Sequence, residues 1–213
     1  MNNWAFFWVR KPGFVYYADH SAPKTEKPVS IFEFLMVLVS IIIGLGIAEV
    51  LTGITRMIRC RETIQTYWIH TLFIAIILLA LLQQWWELWG VRGVATWTFP
   101  ALIMMLAGPV GLFMIANLLF PDTVRNADFR IYYYEKMGPV LWIGIATVIL
   151  AVTFRPIVFG NTLLALDNLS SFLIAAILLS LTFTHKSWFH GLMVTVILVG
   201  VIGDVLLATF ELG

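Results

Sequence analysis

The 213-residue chain is 61% hydrophobic and 12% charged, against roughly 45–50% and about 25% for a soluble globular domain. Its mean hydropathy is +0.93, and 13 basic against 12 acidic residues leave a formal charge of +1. A soluble fold, a disordered chain and a nucleic-acid binder are thereby excluded, and a single cysteine excludes a disulfide scaffold.

Residues 1–30 form an aromatic and polar tail. Trp4, Phe7 and Trp8 crowd its front, followed by Pro23, Lys24, Lys27 and Pro28. The apolar run Trp4–Val9 is too short for a signal-peptide core, so the tail reads as an interfacial foot or a partner-docking segment.

A helix needs roughly 20 mostly apolar residues to cross a hydrocarbon core about 30 Å thick. Six stretches qualify, at about 31–54, 67–90, 99–120, 137–154, 168–185 and 188–210. The first ends in the basic run Arg56, Arg59, Arg61, and the second closes on Trp85, Trp86 and Trp89, an interfacial aromatic belt or a partner contact. In the third, Gly108-Pro109 predicts a kink. The linker 122–136, with Phe129, Ile131, Tyr132 and Tyr133, is expected along the interface. Asp167 and Asn168 suit the N-cap of the fifth helix. The expected fold is an all-α, polytopic membrane protein: a bundle of six transmembrane helices over residues 31–213, with an aromatic-rich N-terminal interfacial segment.

With six crossings both termini fall on one side, side A. Side B then holds Arg56, Arg59, Arg61, Arg125, Arg130, Lys136 and Lys186. Side A holds Arg92, Arg155, Lys24 and Lys27 near the span ends. The basic excess places B in the cytoplasm of a cell membrane and both termini outside. Counting the distal Arg10 and Lys11 narrows the margin.

Ionisable side chains at membrane depth are costly and so are the default functional candidates. Glu49, near the end of the first span, and His70, near the start of the second, fall at similar depth and suit a proton-handling pair. Arg56, two turns from Glu49, offers a plain ion pair instead. His70, Ile77, Gln84 and Glu87 share one stripe, and Asp204 lies in the sixth span just after Gly200 and Gly203, with no capping role. Glu33 fits the first turn of a helix. Ser40, Gly44, Ala48 and Thr52 recur every four residues and suit close helix packing, within one chain as the simpler reading or between chains as the alternative.

Catalytic signatures are weak. Gly200 to Asp204 is one residue too long for a Gly-x-Gly-Asp protease motif. Ser170-Ser171 has no base at its depth, there is no zinc helix or phosphate loop, and no lysine sits inside a span for a retinal Schiff base. No metal site is expected, and no cofactor either, haem through His70 and His190 being the alternative. Cys60 between Arg59 and Arg61 suits an incidental loop cysteine or a reactive one. Two functions remain: an oligomeric channel or ion/proton pathway lined by Glu49, His70, Gln84, Glu87 and Asp204, or an accessory subunit of a larger membrane complex held by its aromatic surfaces. The lipid bilayer is the common partner, with a homo-oligomer or a larger assembly beyond it.

Overall fold

The computed structural model describes residues 30–94, 97–159 and 169–210, with side chains up to 153 in the fourth helix and 206 in the last. The tail with Trp4, Phe7 and Trp8, and the cap candidates Asp167 and Asn168, lie outside the described residues. The described chain is helical throughout: α1 (Ile31–Arg59), α2 (Trp68–Glu87, extended by a 3-10 turn Leu88–Val91), α3 (Phe99–Leu118), α4 (Phe129–Phe159), α5 (Leu169–Thr182) and α6 (Ser187–Phe210). It is a helical membrane bundle. Five of these helices are long and apolar enough to cross a bilayer. With 14 residues, α5 reaches only about 21 Å at 1.5 Å per residue, shorter than the expected 168–185.

The helix starts follow local chemistry. Ser30 and Glu33 form a reciprocal capping box, the Ser30 hydroxyl accepting from the Glu33 N–H at 3.1 Å and the Glu33 carboxylate from the Ser30 N–H at 2.8 Å. This satisfies orphan donors of the first turn and accounts for Glu33. Thr98 caps α3, ahead of Pro100 in the first turn. α4 differs most from the sequence expectation. It begins at Phe129, not near 137, because Asp128 accepts the N–H groups of Arg130 and Ile131. The aromatic linker is therefore the first turns of α4, with Phe129 and Tyr133 buried. Asn126, at φ 62°, takes the left-handed turn that asparagine tolerates. The loops on side B are tied together, Gln65 donating to Ala127 and accepting from Phe129 through the backbone.

Helices α2 to α6 form a ring in which each touches the next and α6 closes onto α2, while α1 lies outside against α3 and α2. The outward surface is apolar, including Phe34, Ile41, Leu45, Trp142, Phe183 and Val199. So continuous an apolar coat is consistent with contact to a lipid bilayer. Because lipid tails are as apolar as leucine, helices there associate through close packing. α1 meets its neighbours with Val39, Ile43, Gly46, Val50 and Gly53, and a side chain at Gly53 would run into the Phe120 ring. The Ser40–Thr52 stripe is not this seam. Gly44, Ala48 and Thr52 are exposed, and nothing lies within 4 Å of where a Gly44 side chain would start.

Candidate functional site

Inside the ring lies a cavity of about 560 Å³, the size that takes a drug-like small molecule. Its deep wall is apolar, with Phe73, Ile77, Met105, Leu112, Ile115 and Val140. Toward side A the lining turns polar: Gln83, Gln84, Glu87, Ser170, Ser171 and Asp204. Of these, Glu87 and Ser170 are exposed, so this end is the mouth.

The polar groups arrive by regular helix spacing. On α2, Phe73, Ile77, Ala80, Gln84 and Glu87 line the cavity at intervals of three and four, one face of a helix. Gln84 sits over Gly108 of α3, where a side chain would start 2.9 Å from the Gln84 amide oxygen. The next residue, Pro109, lies within α3 and has no N–H for the Met105 carbonyl. The Gln83 amide donates to the Glu87 carboxylate at 3.2 Å. No hydrogen bond or ion pair joins the Asp204 side chain to another described residue.

Toward side B the cavity ends on a floor of rings. Seven residues along each helix from a lining position stands a buried residue of this floor: His70 below Ile77 on α2, Leu119 below Leu112 at the end of α3, Tyr133 below Val140 on α4, Leu181 below Ile174 on α5 and His190 below Ile197 on α6. Seven residues are two turns, about 10 Å along a helix axis, so these side chains share the stripe that lines the cavity. Hydrogen bonds fix them. His190 Nε2 donates to the Thr184 carbonyl, which leaves Nδ1 to accept from the Tyr133 hydroxyl at 3.0 Å. His70 Nε2 donates to the Leu119 carbonyl at 2.8 Å. Tyr132 donates to the Leu118 carbonyl at 3.0 Å. Tyr67 bonds Tyr134 at 3.2 Å and Ser187 at 2.9 Å. The rings pack edge-on, Tyr133 reaching His70 at 6.4 Å and His190 at 5.7 Å between centroids.

The expected pathway residues therefore separate. Gln84, Glu87 and Asp204 come together at the cavity. His70 continues their stripe one turn past Phe73 but lies in the floor, 2% exposed. Glu49 is on α1, outside the ring, and pairs with Arg56 at 3.3 Å, so no Glu49–His70 pair forms. At the two histidines named for haem, both Nε2 atoms donate to backbone carbonyls and Tyr133 packs against both rings. Among the described residues no group of three or more His, Cys, Asp or Glu is placed to hold a metal ion. Trp85, Trp86 and Trp89 are exposed, with Arg92 stacked 4.9 Å over Trp89, and Cys60 is a free thiol at the end of α1.

The floor tyrosines were missed as site residues in the sequence. Their signal was there: Asp128 as a cap, then Phe129, Tyr133, Met137 and Val140 at spacings of four, four and three. No family model, curated protein or solved structure matches this chain.

Proposed function

We propose that this integral membrane protein binds a small, largely apolar solute in the ring cavity from side A and serves as a one-sided carrier or receptor. The observation that carries this reading is the cavity itself, open at a polar mouth and ended by a hydrogen-bonded ring layer. A continuous conduit through all five pathway residues is disfavoured, since Glu49 lies outside the ring and His70 is locked beneath the cavity. The exposed tryptophans fit anchoring at lipid headgroups, and no observation favours the accessory-subunit reading. Arg59, Arg61, Arg125, Arg130, Lys136 and Lys186 are all exposed and favour side B as the cytoplasmic face, with the termini outside.

The test uses triphenylphosphine oxide, a compact neutral probe, by equilibrium dialysis against the purified protein. The native protein binds it saturably, and Ala80→Phe, which fills the cavity, weakens binding by about tenfold or more. Equal binding by the native protein and a folded Ala80→Phe variant contradicts the reading, as do stepwise ion conductances in planar bilayers.

A further inference from the structure

Among the described residues the cavity lining holds the carboxylates Glu87 and Asp204 and no lysine, arginine or histidine. Asp204 is half-buried and has no partner among the described residues. Other described acids have partners: Glu87 the Gln83 amide, Glu49 Arg56, Glu33 its capping N–H, and Asp128 two N–H groups. A carboxylate at an apolar wall loses hydration that a positive or hydrogen-bond-donating partner offsets, and its pull on a cation is stronger there than in water. The Gln84 amide and the Ser170 and Ser171 hydroxyls in the lining can each donate as well as accept. Thr147 already donates its hydroxyl hydrogen to the Ile143 carbonyl.

A small hard cation does not match this wall. Such ions take six or more oxygen ligands, whereas the deep lining is hydrocarbon. The site instead asks for a single positive centre attached to an apolar body.

We infer that the ligand is a lipophilic organic monocation, its body in the well between Phe73, Ile77, Leu112 and Val140 and its positive centre at Asp204. This inference rests on the cavity being a ligand site. The same chemistry is supplied by a free solute or by a cationic lipid headgroup, and the experiment separates the two.

Tetraphenylphosphonium, its near-isosteric anion tetraphenylborate and neutral triphenylphosphine oxide are titrated against the protein in alkyl maltoside micelles, which carry no cation. The phosphonium binds about tenfold or more tightly than the borate. Asp204→Asn removes that preference and leaves the neutral probe's affinity intact, which also shows that the variant is folded. Asp204→Glu restores the cation preference. Competition by added lysophosphatidylcholine assigns the cation to a lipid headgroup, and none assigns it to a free solute. Unchanged phosphonium affinity in Asp204→Asn, or equal affinity for the borate, overturns the inference. Binding of the neutral probe with no effect of charge leaves the cavity reading standing, whereas no binding by any probe removes both.

Discussion

Tyr133 and His190 show how single atoms seal one end of the cavity. Because His190 donates Nε2–H to the Thr184 carbonyl, its Nδ1 is an acceptor and needs the Tyr133 hydroxyl. Tyr133→Phe keeps the ring and removes that donor. An unsatisfied buried acceptor costs about 1–3 kcal/mol, so the variant's melting temperature in detergent falls while its helix content holds. An unchanged melting temperature would mean that this hydrogen bond does not hold the floor. His70 differs: its Nε2 is satisfied by Leu119, while its buried Nδ1 has no partner. Histidine at that position was visible in the sequence. Its role was not, because the floor is assembled from α2, α3, α4, α5 and α6, whose relative placement no local spacing reports.

Helices were the most legible level. The six apolar stretches correspond to six helices, since period, caps and turn residues act within a few positions. The start of α4 was misplaced because aromatic residues suit both an interface and a helix stripe, and only burial of Phe129 and Tyr133 decides between them. The small-residue stripe of α1 was legible as a pattern, but whether it packs within one chain or between chains was not, and Gly44, Ala48 and Thr52 are exposed in the single chain. Two faces of α1 carry glycine, and the one at Gly46 and Gly53 packs inward. Gly53→Ala pushes a methyl group into the Phe120 ring and costs about 1–3 kcal/mol, whereas Gly44→Ala enters open space and shifts stability by less than about 0.5 kcal/mol. Unfolding of the two variants in mixed micelles checks the contrast, and equal losses would contradict this orientation of α1. Ser30→Ala removes half of the capping box and lowers stability by about 1 kcal/mol, read in the same assay.

At the scale of the whole molecule the ring of α2 to α6 divides the bundle into a polar mouth, an apolar well and a sealed floor. Gln84, Glu87 and Asp204 were all identifiable from sequence as costly at membrane depth. Their convergence, and the separation of Glu49 from them, depend on α1 lying outside the ring. The most direct measurement is sided cysteine labelling in proteoliposomes. Cys60 ends α1 on side B and serves as a native marker, and Ala80→Cys places a thiol in the cavity. With a membrane-impermeant maleimide, Ala80→Cys labels from the side opposite to the one that labels Cys60, and prior addition of triphenylphosphine oxide slows that labelling. Labelling of both thiols from the same side, or of Ala80→Cys from neither, would contradict a cavity open at the Asp204 end and closed by the tyrosine–histidine layer.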